Sequence, residues 1–173
     1  MSFGAGDLTD SVAALHRCLV AAEIPHAFGG ALAARHYGAP RETDDLDVNL
    51  FVAPTEWPRV GEALASLGVE VNIDEGELGR EGQVRLSWDG APLHLFFSTD
   101  PLHPEMEREA RTVACADATI PLVSPEHLVI RKRLLGRPKD ERDIERILEA
   151  TPVDQAEVEE WVVRLGDARV RAD

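Results

Sequence analysis

The sequence predicts a mixed α/β (α+β) domain, in which a small β-sheet is flanked by helices and followed by a short helical segment. Apolar residues recur at helical spacing over residues 8–22, and residues 45–52 alternate between apolar and polar as in a half-buried strand. The last third of the chain contains residues typical of helix N-caps. A length of 173 residues suits a single domain. We expect its core at about 8–123 and its C-terminal helices at about 124–166.

Hydrophobic periodicity and turn residues define the elements of the core. Asp7 or Thr9 is expected to cap the first helix, and Pro25 ends it. The polar segment 74–81 is expected to be a loop. The remaining predictions are strands at 26–28, 45–52, 69–73, 83–88, 91–97 and 119–123, the fourth and fifth joined by an Asp-Gly hairpin turn, and helices at 31–37, 55–67 and 104–110.

The C-terminal third is predicted to be helical. Ser124 followed by Pro125 is an N-cap with proline at the first helical position. Asp154 followed by Glu157 resembles a capping box. The chain beyond Gly166 is expected to fray. The predicted helices begin near residues 125, 138 and 155.

Composition and charge limit the possible functions. The formal net charge of -14 disfavours a general nucleic-acid or membrane-surface binder, because such surfaces are anionic. No apolar run approaches the roughly 20 residues of a membrane span, and the N-terminus lacks the features of a signal peptide. Cys18 and Cys115 lie far apart without a C-x-x-C motif, which suits a reducing compartment. We therefore expect a cytoplasmic protein without membrane contact.

The acidic segment 41–48 carries the strongest functional signal. Asp45 and Asp47 are two residues apart, so a strand points both carboxylates to one face, about 7 Å apart. Neighbouring like charges repel each other and persist mainly where a cation neutralises them, and oxygen ligands suit Mg²⁺ or Mn²⁺. We predict a divalent metal site at this pair. Asp44 points to the opposite face and is expected to cap or to face solvent.

Two glycines precede the acid pair. Gly29 and Gly30 let the backbone approach a polyphosphate, and the helix predicted after them offers free N–H groups. Arg41 and Thr43 could contact phosphate or base, although Thr43 could equally only shape the turn into the strand. Together with the acid pair, these residues indicate phosphoryl or nucleotidyl transfer.

Three motifs together resemble the signature of one family. They are Gly29-Gly30 followed by Thr43-x-Asp45-Leu46-Asp47, the run Ser-Pro-Glu-His-Leu-Val-Ile-Arg-Lys at 124–132, and the run Gly-Arg-Pro-Lys-Asp-Glu-Arg-Asp-Ile at 136–144. They are similar to those of nucleotidyltransferases with the polymerase-beta-like fold. Over about residues 10–150 the chain resembles small bacterial members, including AbiEii-type toxins, minimal nucleotidyltransferases and antibiotic-modifying enzymes.

The resemblance implies a reaction. A nucleoside monophosphate would pass from an NTP to an acceptor hydroxyl with release of pyrophosphate, and Asp45 and Asp47 would hold one or two Mg²⁺ ions. Acceptors of similar proteins include RNA ends, protein side chains and aminoglycoside-like antibiotics. An antitoxin or another protein partner is also possible. The rival is a non-catalytic nucleotide-binding or toxin–antitoxin partner protein with the same fold, and a third possibility is a plain structural α+β domain. Solvated acids at a strand end would leave the glycine spacing and the C-terminal motifs unexplained.

One position departs from the family pattern. Members that catalyse usually bring a third carboxylate from a neighbouring strand, and here the matching position is His94, a poor Mg²⁺ ligand. His94 could itself be the general base. Alternatively, Asp89 or Asp100 could reach the site, or the protein could bind nucleotides without catalysing.

The other histidines show no metal-ligand spacing and are expected to be structural or solvated; they are His16, His26, His36, His103 and His127.

The segment 131–146 is rich in Lys and Arg in an otherwise acidic chain. Lys132 is the best candidate to neutralise a triphosphate across the cleft. The alternative is a solvated face held by local ion pairs, such as Lys139 with Asp143 at spacing i,i+4. Such pairs contribute only about 0.2–0.5 kcal/mol each, and like-charge pairs in the same segment oppose them.

Overall fold

The computed structural model describes residues 5–43 and 45–172, with side chains described between residues 8 and 167. The strands β1 to β6 are His26–Phe28, Leu46–Leu50, Gln83–Trp88, Ala91–Phe97, Arg111–Cys115 and Ala118–Leu122. The helices α1 to α8 are Ala5–Ala21, Gly30–His36, Trp57–Ala65, Glu75–Glu81, Leu102–Arg108, Pro125–Leu135, Pro138–Ala150 and Gln155–Ala172. A 3₁₀ turn at Pro54–Glu56 precedes α3. None of the helices in the described parts of the chain combines the length and apolar character needed to cross a bilayer.

The six strands form one mixed sheet in the order β3-β4-β2-β1-β6-β5. The hairpin pairs β3–β4 and β5–β6 are antiparallel, as is β1–β2. The pairs β2–β4 and β1–β6 are parallel. In the β2–β4 ladder Asp47 is the register partner of His94. Because register partners point to the same face of a sheet, the two side chains lie on one side of it.

The two faces of the central strands differ in character. Leu46, Val48 and Leu50 are buried in an apolar cluster that also contains side chains of α1, α3 and β4. Asp47 and Asn49 point the other way, as the alternating pattern predicts. A second apolar cluster joins α2, α6, α7 and α8. The predicted mixed α/β fold is confirmed, and the single-domain organisation over residues 1–173 stays a prediction.

The segment predicted as a polar loop is helix α4, so that prediction is wrong. Asp74 accepts a hydrogen bond from the backbone N–H of Glu77 at 3.0 Å and caps the N-terminus of this helix. Gly82, with φ of +67°, ends the helix in the left-handed conformation. Leu78 is buried and anchors α4 to the core. The prediction gave too much weight to polar composition and too little to these cap residues.

The strand predicted at 69–73 is also wrong. In this fully described segment only an isolated bridge forms, in which the N–H of Glu70 donates to the carbonyl of Ser87 at 3.0 Å.

Strand β5 is an element that the sequence does not predict. Its residues are mostly exposed, so alternation gives little signal, and its pairing with β6 defines it.

Two helix ends also differ from expectation. Helix α1 begins at Ala5, so Asp7 and Thr9 lie inside it and neither is its N-cap. Helix α8 continues to Ala172, so the chain does not leave the helix at Gly166. Both differences fall at chain termini, where local sequence signals are weakest.

The apolar face of β4 provides a test of this architecture. Leu95 is fully buried, so Leu95→Ala should lower the free energy of unfolding by about 2–5 kcal/mol through lost burial and the cavity left behind. Val20→Ala is the control, because Val20 is 56% exposed on α1 and should change stability by no more than about 0.5 kcal/mol. Urea unfolding measures both, and equal costs would contradict the assignment of the buried face.

Candidate active site

Asp47 lies directly against the glycine turn that precedes α2. The N–H of Gly29 donates to the backbone carbonyl of Asp47 at 2.9 Å. Gly30 has a φ of +53°, and a Cβ built on it would lie 2.6 Å from Cγ of Asp47. No side chain fits at position 30, and the Asp47 carboxylate occupies the space that a side chain would fill. The predicted proximity of the glycines to this carboxylate is therefore present.

His94 shares the hollow with Asp47. Its Nδ1 lies 3.7 Å from Oδ1 of Asp47, too far for a direct hydrogen bond. Its Nε2 lies 3.1 Å from Oε1 of Gln83. In the tautomer with the proton on Nε2, this nitrogen donates to Gln83, and the Nδ1 lone pair faces the carboxylate.

Asp45 stands just before β2 at the exposed side of the same hollow. Its Oδ1 lies 3.6 Å from a guanidinium nitrogen of Arg85. The backbone N–H of Asp45 donates to the hydroxyl of Thr43 at 3.1 Å. The Thr43 side chain therefore shapes the turn into the strand, as one of the two predictions for it proposed. Asp44 lies outside the described residues.

Burial controls the electrostatics of this hollow. It raises the pKa of Asp47, an effect that neighbouring His94 opposes and the charge of Asp45 reinforces. Burial also lowers the pKa of His94, although the Asp47 carboxylate opposes this. The folded protein therefore disfavours the charged form of both groups. A divalent cation beside the two carboxylates would reverse this for Asp47.

Lys132 lies in a buried ionic cluster behind the hollow. Only 4% of the residue is exposed, and its Nζ lies 2.6 Å from Oδ2 of Asp143 and 3.5 Å from Oδ1 of Asp140. Asp143 thus pairs with Lys132 and not locally with Lys139 in the described structure. The sequence could not show this pairing, because the partners lie on different helices. The geometry supports an intramolecular role for Lys132 and disfavours direct contact with a nucleotide.

Arg41 and Arg137 connect this cluster to Asp47. The Nε of Arg41 lies 3.4 Å from Oδ2 of Asp143 but makes no hydrogen bond within the described structure. Arg137 donates to Asp140 from Nε at 2.6 Å and from Nη2 at 3.2 Å. The charges of Arg41 and Lys132 also lower the pKa of Asp47, against the dominant effect of burial. Cationic groups thus line one side of the carboxylate without pairing with it.

Neither of the other aspartates considered as a third acid reaches this hollow. Asp89 is exposed in the turn of the β3–β4 hairpin. Asp100 receives hydrogen bonds from Arg131 at 2.7 and 3.1 Å and lies 3.1 Å from His103 Nδ1. Burial raises the pKa of Asp100, but the bonds from His103 and Arg131 outweigh it and hold the pKa far below its usual range. Asp100 is therefore committed to its own network.

The site is an open hollow at the edge of the apolar core. A groove of about 550 Å³ lies between α1 and α3, and its lining, which includes Ala14, Cys18 and Ala63, contains neither aspartate. The lining also includes the polar side chains of Arg17 and Ser66. The chemistry-bearing residues are instead those at the glycine turn, β2 and β4. Sequence reasoning found Asp45, Asp47 and His94 but missed Gln83 and Arg85, whose only signal is their alternate position on the strand paired with β4.

Comparisons with known proteins identify the fold. No protein-family model and no curated protein sequence matches the chain. Among solved structures, a nucleotidyltransferase-like antigen from Paracoccidioides brasiliensis aligns with a TM-score of 0.62 at 17% identity, covering 99% of this chain and 92% of that one. ANT(2″)-Ia in complex with adenylyl-2″-tobramycin aligns with a TM-score of 0.57 at 16% identity, covering 95% and 99%. Lincomycin-bound LnuA, a lincosamide antibiotic adenylyltransferase, aligns with a TM-score of 0.55 at 13% identity, covering 82% and 97%.

Among these neighbours LnuA is an adenylyltransferase and the fungal protein is nucleotidyltransferase-like, and this chain has a nucleotidyltransferase-like fold. The fold implied by the Gly-Gly and Asp-Leu-Asp motifs is therefore confirmed. The AbiEii-like subtype is not. At identities this low, the likeness establishes the fold, and function has to be argued from the site.

A pair of glycine substitutions tests the close approach at Asp47. Gly30→Ala combines a left-handed backbone with steric overlap, whereas Gly68→Ala, at φ of +81° with nothing within 4 Å of its Cβ, brings backbone strain alone. Strain should cost about 1–2 kcal/mol in both variants. The overlap should add about 1–3 kcal/mol to Gly30→Ala alone. Equal losses in urea unfolding would contradict the contact between Gly30 and Asp47.

The buried cluster predicts a second stability effect. Lys132→Met leaves two buried carboxylates short of a cation and should lower the unfolding free energy by about 3–5 kcal/mol. The double variant Lys132→Met/Asp143→Leu should recover part of this loss, because a charge is removed with its partner. Urea unfolding of the single and double variants measures the coupling. Additive losses would show that the two residues do not form a pair.

Proposed function

We propose that this chain is a Mg²⁺-dependent nucleotidyltransferase that passes a nucleoside monophosphate from an NTP to a hydroxyl of a small cationic acceptor. The observation that supports this most is the setting of Asp47. Its carboxylate is enclosed by the Gly30 backbone and His94, and among the described ion pairs it meets only the imidazole at 3.7 Å. A largely buried carboxylate with a raised pKa and no close cation is suited to bind one.

The donor set fits the proposed metal. Asp45 and Asp47 offer hard oxygen ligands from one face of a strand, which suits Mg²⁺ or Mn²⁺. When bound there, the metal would neutralise charge on the triphosphate and on the reacting phosphoryl group. The turn at Gly29 and Gly30, which precedes the N-terminus of α2, is proposed to lie beside the phosphates.

Three further residues are proposed to position the metal ligands or to neutralise the phosphate charge. Arg41 is partly exposed, while its Nε is buried 3.4 Å from Asp143, and the exposed part of its side chain is proposed to contact a phosphate oxygen. Thr43 holds the turn that aims Asp45. We propose that Lys132 acts indirectly, by holding Asp143 near Arg41.

His94 is proposed as the general base. Burial lowers the pKa of His94, so its imidazole is neutral at pH 7 and can accept a proton. Gln83 accepts the Nε2–H and orients the ring, so the proton of the acceptor hydroxyl would go to Nδ1, the nitrogen that faces Asp47. In this proposal an imidazole accepts the proton that a third carboxylate would accept in the family pattern.

The acceptor is proposed from charge and from the structural neighbours. The net charge of -14 attracts cations and repels RNA. One neighbour is a lincosamide adenylyltransferase and another holds an adenylylated tobramycin. We therefore propose a cationic aminoglycoside-like acceptor. RNA or protein acceptors, an antitoxin partner and a cytoplasmic location stay predictions.

The second candidate function is nucleotide binding without catalysis. His94 favours it, because this residue stands where the family pattern has a third catalytic carboxylate, and Asp100 is held by Arg131 and does not replace it. Such a protein would bind Mg²⁺–NTP without transferring the nucleotide. Binding and turnover therefore have to be measured separately.

Nucleotide binding is the first test. Calorimetric titration with ATP and with GTP should show binding that needs Mg²⁺ and is lost in Asp47→Asn, because the metal loses a charged ligand. Asp117→Asn is the matched control, since Asp117 is exposed and pairs with Arg17. Binding unaffected by Mg²⁺ or by Asp47→Asn would contradict both candidate functions.

Turnover separates the two candidates. With tobramycin as the acceptor probe, wild-type protein should release pyrophosphate and form adenylylated product. His94→Gln should lower kcat by about 10²–10⁴ while ATP affinity stays unchanged. Because the pKa of His94 is lowered, the acid limb of kcat/KM should lie below pH ~6.5 and should disappear in this variant. Intact Mg²⁺–ATP binding without turnover on a wide acceptor panel would favour the non-catalytic candidate.

A further inference from the structure

A second group of potential metal ligands lies among the C-terminal helices. Glu109 directly follows α5, His127 lies on α6 and Glu157 lies on α8. One ligand atom from each side chain lies within 4.8 Å of the other two. The Nε2 of His127 is 3.9 Å from Oε2 of Glu109 and 3.8 Å from Oε1 of Glu157. None of these residues belongs to the candidate active site.

The imidazole of His127 is buried with an unsatisfied nitrogen. The residue is fully buried, and its Nε2 has no hydrogen-bond partner in the described structure. Its Nδ1 lies 3.0 Å from the hydroxyl of Ser124. With the proton on Nδ1, that nitrogen donates to Ser124, and the bare Nε2 lone pair points between the two carboxylates. A buried nitrogen without a partner is costly and indicates a missing ligand.

Two carboxylates, those of Glu109 and Glu157, face this nitrogen within 4 Å in the described structure. Arg108 pairs with the other oxygen of Glu109, Oε1, at 2.9 Å, and Arg111 pairs with Glu126 at 3.4 Å. Oε2 of Glu109 is thus left facing His127 in an acidic environment.

We propose that Glu109, His127 and Glu157 bind a first-row divalent cation, with Zn²⁺ the best match. One imidazole nitrogen and two carboxylate oxygens suit Zn²⁺ and similar ions, whereas Mg²⁺ prefers oxygen alone. Ligand atoms around a tetrahedral Zn²⁺ with bonds near 2.1 Å lie about 3.4 Å apart. The two distances from Nε2, 3.8 and 3.9 Å, exceed this by about 0.5 Å, and the two carboxylate oxygens lie within 4.8 Å of each other.

The two carboxylates are able to make this adjustment. The side chains of Glu109 and Glu157 are 38% and 31% exposed, while the imidazole is fixed in the core. Their exposure also leaves the remaining coordination position open to water. Ser124 supports the imidazole from the other side, as the outer partners of metal-bound histidines do. A bound ion would tie α8 to α6 and to the end of α5, independently of the proposed transfer reaction.

Competition with a chromophoric chelator tests the site in the full-length protein. In excess Mg²⁺, wild-type protein should take up one Zn²⁺ per chain. Glu109→Gln and Glu157→Gln should each weaken that affinity at least about tenfold. Both replace partly exposed residues, so folded variants are expected, and circular dichroism checks this. Zn²⁺ should also raise the melting temperature of the wild type but not of Glu157→Gln.

Two control variants localise the ion. Asp47→Asn should leave Zn²⁺ uptake unchanged, since it alters only the candidate active site. His16→Gln is the second control, because His16 and His26 form a close imidazole pair outside the proposed site, with Nδ1 and Nε2 3.0 Å apart. Loss of uptake in either control would place the ion elsewhere and overturn the proposal.

Two further outcomes would overturn the proposed Zn²⁺ site. One is the absence of Zn²⁺ uptake by the wild type, and another is uptake that survives both glutamate substitutions. A protonated His127 could instead pair with the two carboxylates. In that case the melting temperature would change with pH through His127 and would not respond to Zn²⁺, which would reject the metal site.

Discussion

The candidate site depends on one steric constraint, the absence of a side chain at position 30. The Gly30 backbone touches the Asp47 carboxylate, and the left-handed φ of +53° lets the chain turn from β1 into α2 at that point. The N–H of Gly29 holds the same residue from its backbone side. This contact places a charged group in a largely buried hollow, where its pKa rises and where binding a cation is favourable. Without it, Asp47 would be an ordinary acid on a strand.

The C-terminal helices contribute to the hollow through buried charges. Lys132 on α6 holds Asp143 on α7, and Asp143 in turn lies 3.4 Å from Arg41, in the loop before β2. Buried ion pairs add little net stability, but removal of one partner is costly. The cluster therefore acts mainly to fix where α7 and the Arg41 loop stand. In this arrangement Lys132 on α6 is linked through Asp143 to Arg41, a residue beside the candidate site.

Histidines show most clearly where sequence reasoning stops. His94 was identified through the family resemblance, which expects a third carboxylate on a neighbouring strand, and the parallel pairing of β2 with β4 makes it the register partner of Asp47. His127 has no ligand at a recognisable spacing, so it was expected to be structural. Its carboxylate neighbours come from Glu109 and Glu157, which only packing brings near it. The same limit explains the missed roles of Gln83 and Arg85, which depend on hairpin register.

The amino-acid sequence by itself determined the helix and strand periods, the glycine turn and the face shared by Asp45 and Asp47. These features are local, set by backbone sterics and by the alternation of side chains along a strand. Tertiary structure decided which charges meet: Lys132 with Asp143 instead of Lys139 with Asp143, and His127 with two distant glutamates. Desolvation and partner choice depend on which surfaces pack together, and spacing along the chain does not encode that.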